Sequence, residues 1–121
     1  KDPGYVMEDA DLDDEVATLI DGAMLNSGQC CCGIERIYVQ ESLFEPFVEK
    51  AVEIVRGYKL GNPLTPETTL GPMAHVRFAD EVRAQVSEAG AAGAESRATS
   101  ECSWRSRGGR RDGAYRTLGR G

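Results

Sequence analysis

The apolar periodicity of this chain stops near residue 89, and that break bounds what can fold. Upstream of it, Leu12, Val16, Leu19, Ile20, Ala23 and Met24 recur at helical spacing and predict a helix over residues 9–26. Asp9, Asp11, Asp13 and Asp14 crowd its start, where the helix dipole favours negative charge. Asn26-Ser27-Gly28 reads as its stop. Arg36-Ile37-Tyr38-Val39-Gln40 is β-branched and aromatic and predicts a short strand. A second helix is expected from Ser42, because Ser42-Leu43-Phe44-Glu45 has the spacing of a capping box. Its stripe is Phe44, Phe47, Val48, Ala51, Val52 and Val55, and Gly57 and Gly61 mark its end. The stretch from Leu60-Gly61-Asn62-Pro63 to Gly71-Pro72 is rich in turn formers and reads as loop. A third helix is expected over 73–89, with Val76, Ala79, Val82 and Val86 on one face. Helix, strand, helix, loop, helix is an α/β order.

Beyond the break the chemistry changes. Residues 1–95 carry 7 Lys and Arg against 18 Asp and Glu, whereas residues 96–121 carry 7 Arg, no Lys and 2 acids. Those last 26 residues also hold 5 Gly and 4 Ser, with Trp104, Tyr115 and Leu118 isolated. Such a segment buries too little apolar surface to offset its ordering entropy. Two parts follow: residues 1–89, which carry the apolar periodicity of part of a domain, and an Arg/Gly/Ser-rich tail over 90–121, expected to be disordered. A GC-rich gene read out of frame gives the same composition, so a frame shift near residues 90–95 is one origin for the tail.

Several classes fall away. No apolar run approaches the roughly 20 residues that span a bilayer. Lys1-Asp2-Pro3-Gly4 lacks the apolar core of a signal peptide, and it lacks an initiator Met, as a record beginning inside a longer frame would. Three of the four cysteines, Cys30, Cys31 and Cys32, are consecutive. Neighbouring side chains are not expected to reach one partner, so a secreted disulfide framework is not expected and a reducing, cytoplasmic setting is. Structural zinc wants gaps between its cysteines, and His75 is the only histidine, so no metal site is expected.

The residues that carry chemistry are Asn26-Ser27-Gly28-Gln29-Cys30-Cys31-Cys32. This run resembles the cysteine signature of the aldehyde dehydrogenase superfamily, in which a Gly-Gln pair and one spacer precede the nucleophile. The pair here is Gly28-Gln29, the spacer Cys30, and the nucleophile position Cys31. The likeness extends along the chain. Lys1-Asp2-Pro3 and Asp9-Ala10-Asp11-Leu12-Asp13 resemble the family's run into the helix before the cysteine. Arg36-Ile37-Tyr38-Val39 resembles the strand after it. Phe47-Val48-Glu49-Lys50 with Leu60-Gly61-Asn62-Pro63 resembles the next helix and its exit, and Thr69-Leu70-Gly71-Pro72-Met73 the loop that follows.

The resemblance implies an α/β fold, a fragment of a Rossmann-like catalytic domain. It implies an enzyme that oxidises an aldehyde to a carboxylic acid with NAD or NADP. In that chemistry a cysteine thiolate adds to the aldehyde carbon, and the thiohemiacetal loses hydride to leave a thioester for water to release. Thiolate rather than thiol attacks, so such a site must work against a free-cysteine pKa of about 8.5. In the family the oxyanion donors are the nucleophile's own backbone N–H and an Asn side chain, and the base is a Glu. That Glu sits in a Glu-Leu-Gly-Gly segment before the position of Lys1. The Asn lies further upstream, and a Glu-x-Phe-Gly-Pro segment that holds the nicotinamide ribose lies downstream. Of the catalytic set the chain keeps Cys31, with Met24, Leu25, Cys30 and Cys32 as pocket neighbours. Alone it is expected to be inactive, and its stripes at Leu19, Phe47 and Val52 are expected to lack cover, leaving it marginal or partly molten. Family members are typically dimers or tetramers, which makes the parent a homodimer or homotetramer.

Blander readings stand beside these. Cys30 and Cys32 read as packing or spacer residues, and Cys102 as an incidental thiol. His75 reads as a solvated helix start. The carboxylates from Asp9 to Glu15 read as a solvated helix N-terminus rather than a metal cluster. Glu35, four residues from Cys31, is a weaker candidate base. Gly28 reads as a helix terminator, since no G-x-G-x-x-G occurs. The alternative to the enzyme is a non-catalytic fragment or interaction protein. Its Arg-rich tail would bind nucleic acid through phosphates, with Trp104 and Tyr115 stacking on bases.

Overall fold

The computed structural model describes residues 1–98 and, beyond them, the backbone of Trp104–Arg105 and Arg111–Asp112. The first element is a strand the sequence did not announce: β1, Pro3–Val6. Pro3 and Gly4 hid it, yet Pro is tolerated as the first residue of a strand, where its missing N–H costs no ladder bond. Helix α1, Leu12–Met24, follows. Its N-cap is Asp11, whose carboxylate accepts the Asp13 N–H at 2.9 Å, with Asp13, Asp14 and Glu15 in the first turn. A 3₁₀ turn, Leu25–Gly28, leads on to strand β2, Arg36–Val39. The two strands pair in parallel, with Gly4 opposite Ile37 and Val6 opposite Val39. The result is a βαβ unit, the local form of the expected α/β fold.

Helix α2 is Phe44–Gly57 and ends where Gly57 predicts. Its start differs from expectation. Ser42 lies inside a 3₁₀ turn, Glu41–Leu43, and α2 carries no side-chain cap hydrogen bond, so the capping box does not form. The turn feeds straight into the helix, which leaves no extended residue at Ser42 from which a hydroxyl could cap. Glu45 instead pairs with Arg97. The carboxylates of Glu95 and Glu45 hold the Arg97 guanidinium above its usual pKa, the hydrogen bond it donates to Glu95 contributing most and the charge of Glu45 next.

The core is Val6, Val16, Ile20, Ala23, Ile37, Phe47, Val48 and Ala51, drawn from β1, α1, β2 and α2. Both predicted stripes supply it. Phe47 was expected to lack cover, but it is the most completely enclosed side chain, at 0 % exposure. The reason is that α1 and the strand pair already close over α2. Leu19 and Val52 are half-buried against the same core. Lys50 pairs with Asp13 across the α1–α2 contact, and that carboxylate raises the lysine's pKa.

Residues 60–72 form the expected loop, pinned at its mouth by a bridge between Leu60 and Leu70. The Lys59 N–H donates to the Thr69 hydroxyl at 2.8 Å. Helix α3 is Val76–Ala91. Its predicted face is half-buried at Ala79, Val82 and Val86, but Val76 is exposed and no residue of α3 is fully buried. Strands β3, Trp104–Arg105, and β4, Arg111–Asp112, form a two-residue antiparallel pair. Most of the tail expected to be disordered, with Cys102 and Tyr115, lies outside the described residues. Among the described residues no helix is long and apolar enough to cross a membrane.

Candidate active site at the cysteine triplet

The site grows from the end of α1. Asn26, Ser27 and Gly28 all take left-handed backbone conformations, with φ of 50°, 59° and 77°. Gly adopts this freely and Asn readily; for Ser the conformation costs roughly 1–2 kcal/mol. The predicted stop signal is therefore a reversal, which turns the chain back across the helix end. Asn26 and Gln29 tie it shut. The Gln29 amide donates to the Asn26 carbonyl at 2.9 Å, and the Asn26 amide donates to the Gln29 carbonyl at 3.3 Å.

A second segment braces the first. The Gln29 side-chain oxygen accepts the Ala74 N–H at 2.7 Å, and the Ser27 hydroxyl donates to the Gly71 carbonyl. Two motif stretches that lie more than 40 residues apart in sequence thus meet side chain to backbone. Sequence reasoning placed both stretches and missed their contact. Gln29 in the signature was the available signal.

Cys30, Cys31 and Cys32 follow on a tight turn closed by the Gly33 N–H to the Cys30 carbonyl at 3.2 Å. A side chain at Gly33 would lie 3.3 Å from that carbonyl, tighter than ordinary contact. The Ile34 N–H donates to the Gly22 carbonyl at 3.3 Å and returns the chain to α1. Cys31 and Cys32 are exposed and Cys30 is half-buried. The expectation that adjacent cysteines cannot share a partner does not hold: the three sulfurs lie within 4.8 Å of one another, and those of Cys30 and Cys32 are 3.4 Å apart. The turn rolls side chains together that an extended strand would send to opposite faces. The Cys32 backbone N–H, and then its thiol, hold Cys30 below the usual thiol pKa. In return, hydrogen bonding to Cys30 and its charge push Cys32 up.

The remaining candidates fall around this turn. Lys1 donates to the Cys30 carbonyl at 2.8 Å and pairs with Glu35 at 2.9 Å, which engages the weaker candidate base in an ion pair. Leu25 is 55 % exposed in the turn ahead of the cysteines, while Met24 packs against the core. His75 caps α3, its Nδ1 accepting the Arg77 N–H at 3.1 Å, where solvent was expected to satisfy it. Two concavities, one along Glu45, Val48, Val52 and Arg56 and one beside Tyr5 and Met7, include none of the cysteines. The connection from β1 to α1 carries Glu8, Asp9 and Asp11, with no glycine or basic residue to cradle phosphate. The described residues therefore do not fit a dinucleotide by themselves.

A parallel βαβ unit that delivers a thiol on a braced, strained turn after its helix is a piece of an α/β catalytic domain. The chain belongs to the aldehyde dehydrogenase family, whose family model matches residues 1–117. It is 40 % identical over 93 residues to succinate-semialdehyde dehydrogenase (NADP+) 1 of Mycobacterium ulcerans, which covers 77 % of this chain and 20 % of the relative. Human aldehyde dehydrogenase 1A1 is 43 % identical over 82 residues, covering 68 % of this chain and 16 % of that protein. Among solved structures, the NAD+ complex of an aldehyde dehydrogenase from Bacillus cereus superposes with a TM-score of 0.82 at 26 % identity, covering 97 % of this chain and 23 % of that one. The Brucella melitensis biovar abortus aldehyde dehydrogenase gives 0.75 at 35 % identity, covering 78 % and 20 %. The chain thus spans about one-fifth of the length of the relatives it matches.

Proposed function

We propose that this chain is part of the catalytic domain of an enzyme that oxidises an aldehyde to a carboxylic acid, with Cys31 as nucleophile. One observation carries the reading: Cys31 is exposed on a turn held from behind by Ser27 and Gln29, which reach the second family-like segment at Gly71 and Ala74. Such bracing fixes where the sulfur points, and positioned nucleophiles gain much of their rate from that. The Cys31 thiolate adds to the aldehyde carbon, and its own N–H is one donor to the oxygen that becomes negative. A nicotinamide dinucleotide, NAD+ or NADP+, supplies the hydride acceptor in the parent enzyme. The M. ulcerans relative is named for NADP+, and the B. cereus structure is an NAD+ complex. Leu25, Cys30 and Cys32 border the nucleophile as substrate-pocket neighbours, with Met24 behind them. A cytoplasmic homodimer or homotetramer completes the reading.

The test is a chimera in which residues 1–89 replace the equivalent segment of the B. cereus enzyme. Aldehyde-dependent NAD(P)H formation should persist in Cys30→Ala and Cys32→Ala. In Cys31→Ala it should fall by about a thousandfold or more. Retention of full activity in Cys31→Ala would end the assignment.

A further inference from the structure

We propose that Cys30, Cys31 and Cys32 together form a three-sulfur site for the soft monovalent cation Cu(I). Consecutive cysteines are poor chelators in an extended chain, because alternate side chains point apart. Here the turn closed by Gly33 onto the Cys30 carbonyl brings all three sulfurs within 4.8 Å of one another, with Cys30 and Cys32 at 3.4 Å. A cation bonded to three sulfurs at roughly 2.3 Å needs them about 4 Å apart around it. The spacing present brackets that value, so binding requires sub-ångström adjustments rather than a new fold.

The donor set selects the ion. An all-thiolate site favours Cu(I), zinc or iron–sulfur clusters over hard cations. Structural zinc takes four ligands, and among the described residues no His, Asp or Glu joins the cysteine group. Cu(I) is satisfied by three sulfurs. Two of the thiols are exposed, so the ion can enter without opening the core. The Lys1 ammonium, 2.8 Å from the Cys30 carbonyl, offsets part of the negative charge of three thiolates and one monovalent cation. Binding releases the thiol protons and leaves the copper as Cu(I). A Cys31 sulfur bound to copper cannot attack an aldehyde, so the site would make catalysis sensitive to free Cu(I). The metal site itself stands whether or not Cys31 is the nucleophile.

The test uses the full chain, reduced and free of oxygen, titrated with Cu(I) buffered by the coloured chelator bicinchoninate. No aldehyde chemistry enters the readout. One equivalent of copper should leave the chelator. Of the four thiols, three should become unreactive to a disulfide reagent, leaving Cys102 as the reference. Cys30→Ser and Cys32→Ser should each weaken binding at least tenfold, and Cys102→Ser should leave it unchanged. Unfolding in urea should also weaken binding at least tenfold, because the turn rather than mere adjacency gathers the sulfurs. No copper uptake overturns the proposal. So does uptake of zinc in place of copper, equal affinity in Cys30→Ser or Cys32→Ser, or equal affinity in urea.

Discussion

Cys30 gives up its proton more readily than Cys32, and the cause is local. The Cys32 N–H donates to the Cys30 sulfur and stabilises its thiolate, whereas a charged Cys30 disfavours a second charge at Cys32. Thiolate is the reactive form, so as pH rises iodoacetamide should label Cys30 before Cys32. Peptide mass mapping over a pH series checks the order, and simultaneous labelling would contradict the hydrogen-bonded pair. Gly33 keeps that pair in place. In Gly33→Ala the new methyl presses on the Cys30 carbonyl from 3.3 Å, so that carbonyl must shift and the turn is perturbed. The expected cost is about 1–3 kcal/mol, and the two labelling curves should move together. At this scale the sequence marked out the run Cys30-Cys31-Cys32, because the signature before it is written in adjacent residues. It hid the gathering of the three sulfurs, because that depends on a turn whose backbone angles no composition rule supplies.

Elements were legible where one face is apolar at a regular period. The stripe on α1 buries Val16, Ile20 and Ala23 and the stripe on α2 buries Phe47, Val48 and Ala51, with the rest of each stripe half-buried. Strand β1 was not legible, since Pro3-Gly4 reads as a turn until Ile37 and Val39 pair alongside it. The brace from the cysteine turn to the loop before α3 was equally hidden, being a contact between residues 45 apart. It makes a specific expectation. Gln29→Ala removes the acceptor of the Ala74 N–H, so that amide should exchange with deuterium faster, while amides inside α1 keep their protection. Unchanged exchange at Ala74 would show that the loop is held by other means. Phe47 gives the matching packing test. Fully enclosed between α1, α2 and the strands, it should cost about 3–5 kcal/mol when replaced by Ala, read as a lowered urea midpoint.

The molecule as a whole presents a parallel sheet with one face uncovered. Val6 and Ile37 turn inward, while Tyr5 and Tyr38 stack on each other at 5.0 Å on the other side, 67 % and 37 % exposed. Parallel sheets occur almost only with both faces covered. Two strands are also fewer than independent sheets usually need. The open tyrosine face therefore fits a chain that spans one-fifth of its relatives' length. The consequence for chemistry is sharper than for stability. A thiolate at Cys31 can add to an aldehyde without help, but oxidation requires a dinucleotide held beside it. The described residues offer acids rather than a phosphate cradle where β1 enters α1. The purified chain, given aldehydes and NAD+ or NADP+, is expected to form no NAD(P)H above blank. Its Cys31 should still be trapped by an aldehyde as a thiohemiacetal, visible by carbon NMR with a labelled carbonyl. NAD(P)H formation by the chain alone would mean that these residues build a nucleotide site of their own.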